Sequence, residues 1–414
     1  MIRKLFFNAR IFTPRDTGSP AAGKDQGSGV CFDPGALVVE NGLITAVGPR
    51  DQILENCHNL TFDQETDCLG LCLVPGFVDP HTHMCFAQLR EREFEMRLMG
   101  TPYLTILERG GGILSSVRAV AETSEDTLHE TTRKTVMKAL SFGTTTVEIK
   151  SGYGLDTPGE LKMLRVIRRV ARTTPMDVVP TFMGAHAVPT AFKENPDAFV
   201  DLVVREMLPA VAGQGIARYC DVFCETGVFS IDQSRRILEA ARALGLGVKI
   251  HADEVNDMGG AGLAAELSAV SADHLLAAGE KNLLKMKTAG VVATLLPATA
   301  YSLRKSYARA RTMVDLGLPV ALATDCNPGS SFTESMPFVM GLSVLNMGLT
   351  PAEALTGATL NAAYAIGAAG FAGSLDAGKQ ADFLLLDGDS PAILAYHAGV
   401  SPVLSVYKRG EKVA

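Results

Sequence analysis

Two histidines one residue apart, His81 and His83, close an apolar run that begins near Leu71. In an extended strand, side chains two positions apart point the same way, so both imidazoles can face one ion. Three more residues able to bind a metal or move a proton close apolar runs further on: His251, His274 and Asp325. A His-x-His pair alone is a weak signal, but five such residues at run ends carry weight together. Three imidazoles and a carboxylate suit Zn²⁺, or Fe²⁺ and Mn²⁺ with an added water. We read His81, His83, His251 and Asp325 as ligands of one ion. Such an ion lowers the pKa of a bound water from ~15.7 toward ~7, which is the start of hydrolysis. Asp325 could also accept a proton from that water. Glu254, three residues past His251, is placed to shuttle a proton, the plain alternative being a solvated loop acid. His274 is suited to polarise a carbonyl or orient a nucleophile, the alternative being a structural histidine behind the ligands.

A second metal is not expected. Two-metal sites of this kind often use a carboxylated lysine, and the run 220–225 has no lysine. Glu225 could bridge two ions or act as a structural acid. Other run ends read as substrate contacts. Tyr153 and His186 can donate hydrogen bonds into a pocket, or else pack within their loops. The long stretch 84–112 carries Arg90, Tyr103 and Gly110-Gly111-Gly112 and has the character of a lid. Arg90 suits a substrate carboxylate, with a salt bridge to Glu91 or Glu93 as the alternative. Asn327-Pro328-Gly329-Ser330-Ser331 is a turn with amides and hydroxyls for a polar ligand, or simply a turn.

The elements that must hold these residues follow a clear grammar. From residue 74, apolar strands alternate with helical stretches, the pattern of a parallel sheet with crossover helices. Eight strands are expected, at 71–83, 144–150, 178–186, 220–225, 248–254, 270–274, 291–297 and 320–325. A helix should start at Thr123 or Ser124, and another should span 158–173 with Pro158 at its start. Eight such units predict an α/β fold, a (β/α)₈ TIM-like barrel whose chemistry lies at the C-terminal ends of its strands. No Gly-x-Gly-x-x-Gly turn supports an open doubly wound sheet. Both chain ends instead show strands without helices. A strand at 4–13, an exposed loop at 14–35 and a hairpin at 36–48 turning on Asn41-Gly42 open the chain. A turn and strand at 373–386 and a hairpin from 403 close it. The expected division is a small β-sandwich domain from residues 1–73 and 369–414, with the metal-dependent barrel, 74–368, inserted between them.

The bulk numbers narrow the function classes. The 414 residues are 47% hydrophobic and 20% charged, enough for a large core. The net charge of -7 is well mixed, and no basic stripe suggests nucleic acid. No apolar run is long enough for a membrane span, and the N-terminus is a poor signal peptide, so the expected location is cytoplasmic. The 8 cysteines match no zinc ribbon or disulfide framework and read as free thiols, Cys85 and Cys326 packing away from the ligands.

The motif Val74-Pro75-Gly76-Phe77-Val78-Asp79-Pro80-His81-Thr82-His83, with Lys249-Ile250-His251-Ala252-Asp253 and Asp325, resembles the amidohydrolase superfamily. More narrowly, Gly110-Gly111-Gly112-Ile113-Leu114, Val147-Glu148-Ile149-Lys150-Ser151-Gly152-Tyr153-Gly154-Leu155, Gly184-Ala185-His186-Ala187-Val188-Pro189 and Ala323-Thr324-Asp325-Cys326-Asn327-Pro328-Gly329-Ser330-Ser331 resemble the imidazolonepropionase family. The resemblance runs from about residue 75 to 382. It implies hydrolytic opening of 4-imidazolone-5-propanoate to N-formimidoyl-L-glutamate in histidine breakdown. It also implies one zinc or iron ion per subunit at His81, His83, His251 and Asp325. Arg90, Tyr153, His186 and Glu254 would contact substrate. Asn327, Gly329 and Ser330 would hold its tail, Tyr103 would assist, and His274 would sit beside the reacting carbonyl. In the reaction so implied, activated water attacks that carbonyl, and Glu254 or Asp325 gives a proton to the leaving ring nitrogen. The expected partner is a small molecule with a carboxylate, not nucleic acid or membrane, with a homodimer left open. Two features depart from the family: the bulky Ala87-Gln88-Leu89 before Arg90, and the long stretch 14–35. The rival readings are a deaminase of a cyclic amidine or nucleobase, and a non-catalytic barrel scaffold.

Overall fold

The computed structural model describes residues 2–101 and 111–414. Eight parallel strands pair in chain order: Phe77–Asp79, Thr144–Lys150, Asp177–Ala185, Tyr219–Cys224, Gly247–Ala252, Ser271–His274, Val292–Leu295 and Val320–Leu322. Helices cross between them, as the alternating grammar requires. Ser124 caps the helix Glu125–Ser141 by accepting from Thr127 N, and Asp156 caps Thr157–Thr173, with Pro158 in its first turn. The sheet curls into a barrel that closes just past the ends of its first and last strands. There Thr82 bridges Cys326 in parallel, His83 N donates to Cys326 O at 3.0 Å, and Asp325 N donates to His81 O at 3.1 Å. The buried Asp79 carboxylate ties the same seam by accepting from Thr324 N and Oγ1. Cys85 and Cys326 lie in the barrel core.

The expected first strand, 71–83, divides in two. Cys72–Pro75 pairs with Arg3–Pro14 and Phe383–Leu386 in the second sheet, and only Phe77–Asp79 enters the barrel. The chain crosses at Gly76, where a Cβ would lie 2.4 Å from Thr145 Oγ1, so no larger residue fits. His81 and His83 therefore project from the segment beyond the strand, held by the seam rather than by regular pairing.

The second sheet is mixed and uses both chain ends, with Arg3–Pro14, Gly29–Glu40, Leu43–Pro49 and Cys72–Pro75 beside Phe383–Leu386 and Val403–Lys408. Alternation sets its two faces. Phe6, Ile11, Leu37 and Val39 pack on Phe383 and Tyr407, while Leu5, Ala36 and Val38 meet Ile53 and Cys57 at the helix Arg50–Asn56.

The stretch 14–35 is not simply an exposed loop. Its last third, from Gly29, is strand, and a short 3₁₀ turn, Gly23–Gly27, sinks Gln26 completely. The Gln26 amide behaves as an extra peptide group. It donates to Val320 O and accepts from Val320 N, both at 3.0 Å. Asn361 fastens Ala21 to the same strand. Among the described residues no helix is long and apolar enough to cross a membrane.

Candidate metal centre and active site

The barrel seam sets His81, His83 and Asp325 side by side, and the fifth strand brings His251 to them. The Nε2 atoms of His83 and His251 face each other at 3.3 Å, and Asp325 Oδ1 stands 3.6 Å from Nε2 of both His81 and His83. Ligands ~2.0–2.2 Å from an ion at tetrahedral angles lie about 3.3–3.6 Å apart, so these separations fit one ion. His81 Nε2 is buried without a hydrogen-bond partner, which fits a metal-ligating atom. His274 and Asp325 each place an atom within 4.8 Å of His81.

Two carboxylates orient the histidines. Asp273 Oδ2 lies 2.6 Å from His81 Nδ1, and Asp221 Oδ1 lies 3.1 Å from His251 Nδ1. A carboxylate on Nδ1 fixes the ring and directs Nε2 toward the ion. Asp221 and Asp273 also fall within ligand spacing of His81. Both are instead engaged by histidines and by buried lysines, Lys150 for Asp221 and Lys249 for Asp273. Burial holds the imidazoles of His81 and His83 well below their ordinary pKa, helped by Lys150 and His251 for His81 and by His186 and His251 for His83. Neutral imidazole is the ligating form. Burial raises the Asp325 carboxyl, against the opposing pull of His274 and of Thr299, whose hydroxyl donates to Oδ2. His274 and Asp325 both have left-handed backbones, φ 77° and 53°. Such conformations are uncommon outside glycine and gather at functional sites.

His83, His251, His274 and Asp325 line a cleft of about 560 Å³. Arg90, Tyr153, His186, Glu254, Asn327, Gly329 and Ser330 all line it, whereas Tyr103 lies outside the described residues. Glu254 Oε2 sits 3.9 Å from His274 Nδ1. Its loop is pinned by Glu225, which accepts from Val255 N at 2.8 Å and from Asn256 N at 3.3 Å. Glu225 is therefore the structural acid of the two alternatives. Burial pushes its carboxyl up, but these donors hold it below its usual value. His186 stacks on His83 and donates its Nδ1–H to the Gly152 carbonyl, 3.0 Å away. Burial, then His251, drives its pKa down to about 3. Burial also raises the Tyr153 phenol.

Arg90 forms the salt bridge of the alternative reading while lining the cleft. Its Nη2 pairs with Glu93 at 2.7 Å, and its guanidinium lies against Gly329 at the cleft. Glu93 also accepts from Gly112 N and so ties the long segment to the cleft wall. Asn327 spends its side chain on its own turn. Its Oδ1 accepts from Gly329 N and Ser330 N, and its Nδ2 donates to Asp325 O.

Sequence reasoning missed Asp221, Asp273, Lys150 and Lys249. A signal existed, because each is a charged residue within a predicted barrel strand, and each is fully buried. It also missed Arg97, which reaches the cleft from the helix Glu91–Leu98 and donates to Gly329 O at 2.9 Å. Nothing in the spacing marks that residue.

The model of the Amidohydrolase family matches residues 72–413. An imidazolonepropionase from Desulfotalea psychrophila is 65% identical over 413 residues, covering 100% of both chains. Another from Syntrophobacter fumaroxidans is 64% identical over 409 residues, covering 99% of this chain and 96% of its own. Among solved structures, a triazine hydrolase variant superposes with a TM-score of 0.76 at 18% identity, covering 99% of this chain and 94% of that one. Escherichia coli guanine deaminase does so with a TM-score of 0.74 at 14% identity, covering 100% and 99%. At such low identity these two speak for the fold alone. With relatives this similar over its whole length, the chain belongs to the imidazolonepropionase family of amidohydrolases.

Proposed function

We propose that this chain is a metal-dependent hydrolase that adds water to the ring of 4-imidazolone-5-propanoate, giving N-formimidoyl-L-glutamate in histidine breakdown. The observation that carries this reading is one arrangement. His83, His251 and Asp325, gathered around His81, line a cleft that also carries the Arg90 guanidinium, so the cleft can take a reacting ring and an anionic tail together. We assign the ion, zinc or iron and one per subunit, to His81, His83, His251 and Asp325. When bound, it supplies Lewis acidity, polarising a carbonyl and acidifying water.

The chain's own residues do the rest. Arg90 holds the propionate, and the turn of Asn327, Gly329 and Ser330 supports it. Tyr153 presents a donor to the ring, and His186, its Nδ1–H committed to Gly152 O, presents Nε2 as an acceptor, with Tyr103 assigned an assisting role. His274 steadies the carbonyl oxygen as negative charge gathers on it. Water gives a proton to Glu254 or Asp325 as its oxygen bonds to the carbonyl carbon, the ring carbon–nitrogen bond breaks, and that carboxyl passes the proton to the leaving nitrogen. The chemistry belongs to residues 74–368, with 1–73 and 369–414 as the supporting small domain. Free cysteines support a reducing compartment, the cytoplasm.

The test is direct. Metal-loaded protein should remove the absorbance of the imidazolone without releasing ammonia. Ammonia release from a cyclic amidine or nucleobase, with the imidazolone untouched, would establish a deaminase instead. A chain without bound metal by elemental analysis and without activity would favour a scaffold.

A further inference from the structure

The proposed chemistry leaves the buried cations of Lys150 and Lys249 unused. Lys150, at the end of the second barrel strand, is fully buried. An ammonium persists there only where carboxylates offset its lost hydration. Its Nζ lies 2.8 Å from Glu148 Oε1 and 2.8 Å from Asp221 Oδ2. The two acids serve different segments. Glu148 Oε2 accepts from Thr82 N at 3.3 Å, and its main-chain oxygen accepts from Thr82 Oγ1 at 2.7 Å. Thr82 is the residue between His81 and His83. Asp221 Oδ1 accepts from His251 N at 3.2 Å and meets its Nδ1 at 3.1 Å. One ammonium thus touches, through one acid on each side, the segments that present His83 and His251. By contrast Lys249 serves a single arm. Its Nζ bonds Ser271 Oγ at 2.6 Å and stands 3.6 Å from Asp273 Oδ2, the acid on His81.

We propose that Lys150 is a positioning residue that couples the His81-Thr82-His83 arm to the His251 arm. Each carboxylate is held by the same Nζ, so a shift of either moves the ammonium and then the other. The spacing of the His83 and His251 nitrogens is therefore set jointly, before any ion arrives. The inference rests on the proposed ligand assignment.

The experiment uses full-length protein with ¹⁵N-labelled histidine, with and without zinc, in two isosteric variants. E148Q and D221N each leave Lys150 one carboxylate. E148Q touches only the first arm directly, and it should move the His251 Nδ1–H resonance. D221N touches only the second, and it should move the His81 and His83 resonances. Each should weaken zinc, measured by chelator competition, by about 10- to 100-fold. Combined with each of these, K150M should abolish the cross-arm shift, and if the combined variants fail to fold the two single variants still decide. A Lys150 that only stabilises the fold would leave each variant's shifts confined to its own arm, and that result overturns the coupling. Parent protein that binds no zinc or iron would overturn the ligand assignment instead.

Discussion

The imidazole of His186 lies flat on that of His83, with 4.7 Å between centroids and 20° between planes. The contact sets a residue from the third strand directly over a ligand from the barrel seam. His186 is held there by the Gly152 carbonyl, and Gly152 has φ 100° and no room for a Cβ, which would meet His186 Nδ1 at 2.9 Å. Replacing His186 by alanine should cut kcat/KM by about 10- to 100-fold, and G152A should follow it in direction. Steady-state kinetics checks this, with thermal melting to confirm that H186A stays folded. A G152A variant with parental kinetics would contradict the close-approach argument.

Removing the ion should abolish turnover. Dialysis against a strong chelator should give inactive, folded protein, and activity should return with zinc or iron. D273N removes the carboxylate that orients His81 and should raise the metal dissociation constant about 10- to 100-fold. Competition with a chromophoric chelator reads the loss.

Arg90 should matter most to substrates with a carboxylate. R90A should raise KM or lower kcat/KM by about 10- to 100-fold, the worth of a charge-assisted hydrogen bond. An analogue without the acid should lose far less.

Gly329 offers a separate route to the same effect. A Cβ there would lie 2.5 Å from Arg90 Nη1 and 2.9 Å from Cζ. A guanidinium at the end of a long side chain can move aside, so G329A should fold normally and still bind substrate more weakly. Equal KM in G329A and parent would show that Arg90 is not the carboxylate clamp.

Asp16 should give a pH-dependent stability. Bonds from Lys379, Tyr364 and Gly18 N outweigh burial and hold its carboxyl below the ordinary value of 3.8. A lowered folded pKa stabilises the native state above the unfolded value, and that contribution is lost as pH falls through the folded one. D16N should destabilise by about 1–2 kcal/mol at neutral pH. The difference from parent should begin to shrink near pH 4 and vanish in stronger acid. Denaturant titrations across that range measure it.

Much of this was legible in the chain because apolar strands end where ligands begin. All eight barrel strands, a shared β domain from the two chain ends, and the grouping of His81, His83, His251 and Asp325 can be read from run boundaries and residue chemistry, whereas the single mixed sheet in place of a sandwich cannot. These are local properties, written in period and composition. What lay beyond sequence reading depends on residues far apart in the chain. Leu73 and Phe77 look like one strand, yet Gly76 sends them to different sheets because a neighbour's threonine leaves no room for a Cβ. Gln26 sits in a stretch that composition marks as exposed, yet the free backbone of Val320, 294 positions away, draws its amide inside. Asp221 and Asp273 look like misplaced charges until His251 and His81 stand beside them. A buried charge is decided by its partners, and only the tertiary structure names them.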